Sequence, residues 1–176
     1  MWIQTNSGRK FDLLEPSPED VHIEDIAHAL SNLCRFTGHT PEHYSVAQHS
    51  VFVSFMIDPP FAFVGLMHDA TEAYVGDVSA PLKKAMRWLM ATPSPYDIIE
   101  GDVWRVIAKR FNLPEILPPE VKEADMRMLA TEKKMLGREP QSWNLNVEPY
   151  SMTIDCWTAS EARHRFMHRF EELTDV

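Results

Sequence analysis

The chain has 176 residues, 44% of them hydrophobic and 24% charged, which is the make-up of one globular domain with a core of its own. A net charge of −9 excludes the basic face of a duplex DNA or RNA binder, although an ion and a few local cations can still draw an anion into a cleft. The two cysteines, Cys34 and Cys156, form neither a disulfide framework nor a CxxC knuckle and read as small core residues in a reducing compartment.

The first fourteen residues lack the apolar stretch of a signal peptide, and no apolar run reaches the length of a membrane span. The expected location is the cytoplasm, or a host's cytoplasm for a phage-encoded chain, with no membrane partner. No repeat, low-complexity tract or Gly/Ser linker interrupts the chain, so residues 1–176 read as a single domain. Residues 1–14 alternate weakly about Ser7-Gly8, which predicts a short hairpin, and Pro16 and Pro18 mark a loop. Ile23, Ile26, Leu30 and Leu33 recur at three and four and predict a helix over 23–36, stopped by Gly38. A second helix is predicted over 44–57, ended by Pro59-Pro60. Its stripe is Val46, Val53 and Met56, and His49 lies on that stripe. From Phe61 to Met67 the chain is almost wholly apolar, so a third helix, from Pro60 to Val75 with Gly76 as its stop, is expected at the centre of the molecule. Further helices are predicted over 81–90, over 96–111 and over 118–136. After a loop through Pro140 and Pro149, a last one is predicted over 158–173. The fold class is all-α: a bundle of six to seven helices with a short N-terminal β-hairpin.

The third helix ends in Leu66-Met67-His68-Asp69-Ala70-Thr71-Glu72, where three ionisable residues follow an apolar run. A buried carboxylate requires a cation, strong hydrogen bonds or water. On a helix His68 and Asp69 straddle one edge, and Glu72 stands over the same edge one turn on. The plain alternative is a helix end emerging into solvent. Imidazole with carboxylate is a normal set of zinc-type ligands, and a nearby glutamate can take a proton from water. Two more inward-facing polar residues, His49 and Asp125, sit among apolar neighbours on other helices. Each alone would pass for a hydrogen-bonded core residue; one ion accounts for both.

The set His49, His68-Asp69 and a distant Asp125, with the words Tyr44-Ser45-Val46-Ala47-Gln48-His49-Ser50 and His68-Asp69-Ala70-Thr71-Glu72-Ala73-Tyr74-Val75-Gly76-Asp77, resembles the HD-domain phosphohydrolases. Within them it is similar to the HD-type 5′-deoxynucleotidases and the small phage and bacterial dNTP phosphohydrolases, over roughly residues 24–136. The resemblance implies an HD-domain helical bundle in which His49, His68, Asp69 and Asp125 bind one divalent transition-metal ion: zinc, cobalt, manganese or similar, with magnesium also admissible. It implies that Glu72 activates water and that Asp77 is a second acid for sugar binding or proton transfer. Arg35 would clamp phosphate with its planar fork, and Phe36 would pack on sugar or base. Lys83 is a second phosphate candidate, with a solvated surface lysine as its plain alternative. Phe36 stands where the nucleotidases carry Trp, and the interval from His49 to His68 is short. No histidine lies between Asp69 and Asp125, which points to a mononuclear site.

The expected activity is hydrolysis of a small-molecule nucleotide. A 2′-deoxynucleoside 5′-monophosphate is the first choice of substrate, and a dNTP triphosphohydrolase is the nearest alternative. A nucleotide-sensing module without turnover, or a structural metal site, would have no use for Glu72 and Asp77. A homo-oligomer, dimer or higher, is expected.

Overall fold

The computed structural model of the chain describes residues 1–90, 92–137, 143 and 145–174. Strands β1 (Trp2–Gln4) and β2 (Lys10–Asp12) pair antiparallel with Ile3 opposite Phe11, around the Thr5–Gly8 turn. Eight α-helical segments follow among the described residues: α1 (Ile23–Asn32), α2 (Val46–Met56), α3 (Ala62–Met67), α4 (Glu72–Val75), α5 (Ala80–Leu89), α6 (Pro95–Phe111), α7 (Pro119–Leu136) and α8 (Ala159–Thr174). The molecule is mostly helical, with the short hairpin at its N-terminus, as expected. The expected loop at Pro140 lies outside the described residues. Among the described residues no helix is long and apolar enough to cross a membrane.

Three expectations need correction. The first helix ends at Asn32 rather than at 36. Residues 33–35 turn extended and pair with 44–46: Arg35 N–H donates to Tyr44 O at 2.9 Å and Val46 N–H to Leu33 O at 3.0 Å. The chain then reverses through Phe36, Thr37 and Gly38, all at positive φ.

The third helix is two. After α3, residues 68–71 keep helical backbone angles at His68 and Thr71, but the hydrogen bonds tighten to three residues, as in Ala70 N–H to Met67 O and Glu72 N–H to Asp69 O. The His-Asp dipeptide therefore lies at a break between helices. Gly76, at φ 80°, closes α4 as anticipated.

The central position belongs to α2 as much as to α3. Ser45 caps α2 by accepting from Gln48 N–H, and every residue from Val46 to Val51 is buried. This helix packs against α1, α3, α7 and α8. Gln48, on its inner turn, donates to Asp155 O at 2.7 Å and accepts from Trp157 N–H at 2.9 Å, which pins the approach to α8. The core gathers Phe11, Ile26, Leu30, Leu66, Met67, Ile107 and Phe166, among others.

Candidate metal centre and cavity

Helix α2 brings His49 to the centre, the α3–α4 break brings His68 and Asp69, and α7 brings Asp125. The two imidazoles are held in matching orientations. His68 Nδ1–H donates to Gly65 O at 2.8 Å, the carbonyl one turn back on α3. His49 Nδ1–H donates to the Glu132 carboxylate at 2.5 Å. Because both acceptors can only accept, Nδ1 carries the proton in each ring and the two Nε2 atoms face the site, 3.4 Å apart. Asp125 Oδ1 lies 3.4 Å from His49 Nε2, and Asp69 Oδ2 lies 3.2 Å from His68 Nε2 and 3.7 Å from His49 Nε2.

This donor set fits a divalent ion. Tetrahedral ligands at zinc-type bond lengths sit about 3.4 Å from one another. One ligand atom each from His49, His68 and Asp125 lies within 4.8 Å of the others, and Asp69 lies against both rings. Two converging nitrogen lone pairs beside two carboxylates form a place that attracts a cation. The charges of the side chains agree. Burial and the Arg35 guanidinium push the His49 imidazole down, but Glu132 and Asp125 outweigh them and lift it to about 9, so that without a metal a proton takes the cation's place. Burial raises Asp69 and Asp125, yet their histidine neighbours hold both well below the carboxylate range.

Glu72 opens α4 and is buried; its Oε2 has no hydrogen-bond partner. Burial, with Asp69 and Asp77 close by, pushes its carboxyl well above the usual range. Asp77, half-buried after Gly76, is also raised by burial, against the pull of Arg35. Arg35 is not a solvated helix end. Its side chain is 11% exposed, its Nη1 lies 3.5 Å from Asp69 Oδ2, and its Nη2 donates to Glu132 Oε2 at 3.1 Å. Phe36 follows at φ 56°, its ring 5.4 Å below the guanidinium. Lys83, on α5, donates to Glu100 at 2.7 Å and covers the Tyr96 ring.

Sequence reasoning passed over Glu132. This carboxylate has no exposed surface and receives three donors: Tyr44 O–H at 2.9 Å, His49 Nδ1–H and Arg35. A signal was present. Glu132 lies seven residues after Asp125, two turns along the same face of α7.

His68, Asp69 and Asp125 open onto a cavity of about 770 Å3. The lining also includes Trp104 from α6, Ile116 and Leu117 from the α6–α7 loop, and Val121 from α7.

No family model matches the chain. The chain is 38% identical over 179 aligned positions to the uncharacterized protein YfdR of Escherichia coli (strain K12), covering 99% of this chain and 97% of that one. It is also 36% identical to the uncharacterized protein RCAP_rcc00048 of Rhodobacter capsulatus, over 70% of this chain and 64% of that protein.

Proposed function

The chain belongs to the family of Escherichia coli YfdR, and we propose that it is a metal-dependent HD-type phosphohydrolase of deoxynucleotides, with 2′-deoxynucleoside 5′-monophosphates as first substrates. The observation that carries this reading is the convergence of two Nε2 atoms and two aspartates beside an orphaned buried carboxylate, Glu72, with His68, Asp69 and Asp125 open to a cavity. A site that only held the fold together would be closed by its ligands and have no use for the extra acid.

In this reading His49, His68, Asp69 and Asp125 hold one ion. Imidazole ligands favour zinc, cobalt or manganese over magnesium. When bound, the ion supplies a Lewis acid for the phosphoryl oxygens, a more acidic water, and positive charge that returns Glu72 to its ionised form. The chain's own groups do the rest. Glu72 takes the proton of the attacking water as the new P–O bond forms. The bond from phosphorus to the sugar oxygen breaks, and Asp77 returns a proton to the leaving oxygen or holds the sugar hydroxyl. Arg35 neutralises charge developing on the phosphoryl oxygens. Phe36 packs against the sugar. Both cations are paired, but Arg35 lies 3.5 Å from Asp69, at the site, whereas Lys83 is held by Glu100 on α6 and is the weaker phosphate partner.

The test is a stripped protein reloaded in turn with zinc, cobalt, manganese and magnesium and assayed on dNMPs, dNTPs and rNMPs, with products identified. Inorganic phosphate released from dNMPs by the metal-loaded protein, and not by the stripped one, is the expected result. Triphosphate or pyrophosphate released from dNTPs would move the reading to the triphosphohydrolases. Asp69→Ala should lose metal and turnover together. Glu72→Gln should keep its metal and lose turnover by 100-fold or more, on the order of a removed general base. A fully active Glu72→Gln protein would sink the mechanism.

A further inference from the structure

Resting on the phosphohydrolase reading, we propose that the cavity beside His68, Asp69 and Asp125 is a nucleobase subsite, in which the base of a nucleoside 5′-monophosphate packs on Trp104.

Besides the proposed metal ligands, the cavity offers an indole and aliphatic side chains. The Trp104 indole N–H is already spent, donating to Glu115 O at 3.0 Å across the α6–α7 loop. That bond fixes the ring and leaves its apolar surface for the cavity. Ile116, 85% exposed, and Leu117, 38% exposed, lie in the same loop and line the same space with Val121. A flat, mostly apolar body would remove these side chains from water; a phosphorylated sugar or glycerol would leave them wet.

The charges of the lining point the same way. Two cations line the cavity, Arg87 and Lys122. Arg87 is held by Asp97 through three hydrogen bonds, and Lys122 is paired with Asp125 at 3.0 Å. Asp97 itself is fixed by the cap of α6, where it accepts from Ser94 N–H and O–H. Five carboxylates, Asp69, Asp97, Glu100, Glu115 and Asp125, line the same space, so among the described residues the cavity offers no net positive charge to a chain of further phosphates. One phosphoryl group at the metal end and an uncharged aromatic body in the cavity match this lining. A nucleoside triphosphate does not.

The volume is consistent with the assignment. A space of about 770 Å3 lies within the range of pockets that enclose small organic ligands.

The test uses the full chain loaded with metal. KM and kcat are measured on the four dNMPs and on deoxyribose 5-phosphate, which keeps the phosphate and lacks the base. Trp104→Leu should raise KM for the dNMPs about tenfold, the scale of one lost base–aromatic stack, with a smaller change in kcat. The ratio of KM between deoxyribose 5-phosphate and each dNMP should fall by the same factor. Ile116→Asp, at a position open to solvent, should raise KM for dNMPs without disturbing the fold, and carries the test if Trp104→Leu does not fold. In parallel, deoxyadenosine alone is titrated by calorimetry. Binding should be seen with the wild-type chain and be weakened by either substitution. An unchanged ratio of KM values in both variants would overturn the base subsite, and so would deoxyadenosine binding that neither variant alters. A kcat/KM for dNTPs equal to that for matched dNMPs would overturn the monophosphate assignment. Failure to hydrolyse any phosphate ester would remove the phosphohydrolase reading, while the deoxyadenosine titration would still decide whether a base binds here.

Discussion

Glu132 shows how much at the site depends on one buried charge. Burial pushes this carboxyl up, but Arg35 and His49, with Tyr44, outweigh it and hold it below the ordinary glutamate value. It stays ionised because three donors on three different segments surround it. A carboxylate that accepts from the far nitrogen of a ligating histidine fixes the ring and raises its basicity toward the metal. Glu132→Gln keeps the size of the side chain and an oxygen for His49 Nδ1–H, but loses the charge. It should weaken metal binding about 10- to 100-fold, read by competition with a chromophoric chelator, while the far-UV circular dichroism stays that of the wild type. An unchanged metal affinity would reduce Glu132 to a packing role. His49 and Asp125 were legible because they interrupt apolar stripes. Arg35 was legible only as a motif neighbour, because its partners, Asp69 and Glu132, come from distant parts of the chain.

At the scale of elements, the N-terminal hairpin is tied to the helical body by Asp25, a buried residue in the first turn of α1. Its carboxylate accepts from Ser7 N–H and Ser7 O–H, both at 2.7 Å, in the hairpin turn. Burial raises the Asp25 carboxyl, and the two Ser7 donors, with Thr5 and His22, more than reverse this, holding it below its usual value. The sign follows. A carboxyl depressed in the folded state contributes stability that is present above the unfolded value of about 4 and is lost as the pH falls through the folded value. Asp25→Asn should therefore cost about 1–2 kcal/mol at neutral pH, as expected for a lost charge-assisted bond, and the gap to wild type should narrow below about pH 4. Urea midpoints measured across that range check it; a gap independent of pH would mean that the charge of Asp25 is not what matters. The break between α3 and α4 belongs to the same scale. Propensity and hydrophobic periodicity run unbroken from Pro60 to Val75. The turn at His68–Thr71 instead brings His68 and Asp69 against His49, a placement that depends on α2.

For the whole molecule, the candidate centre joins α2, the α3–α4 break and α7, segments far apart in sequence. An ion bound only by the folded chain stabilises it by mass action, by about 2.7 kcal/mol at a free concentration 100 times the dissociation constant. For a chain of this length that corresponds to about 5–10 °C in Tm. Dialysis against a chelator should lower the midpoint by this amount, and zinc or cobalt should restore it. Equal midpoints with and without metal would argue that no ion binds among these side chains.

Several features of this protein follow from the sequence alone because they rest on local, repeating signals. Apolar residues at three and four located seven helical regions, proline and glycine marked most of their ends, and Ser7-Gly8 marked the hairpin turn. A polar residue on an apolar stripe also announces itself locally, so His49, His68, Asp69 and Asp125 could be read as facing inward. What only the tertiary structure decided depends on pairings between distant segments. The antiparallel pairing of 33–35 with 44–46 ends α1 early and carries Arg35 inward. The packing of α2 against four other helices gives it a central place that its own pattern did not advertise. The cavity exists because α6 and the loop after it stand beside His68, Asp69 and Asp125. Glu132 becomes a support for His49 only when α7 lies against α2. Such contacts depend on which faces meet in space, and a periodicity read along one segment carries no information about the segment it will meet.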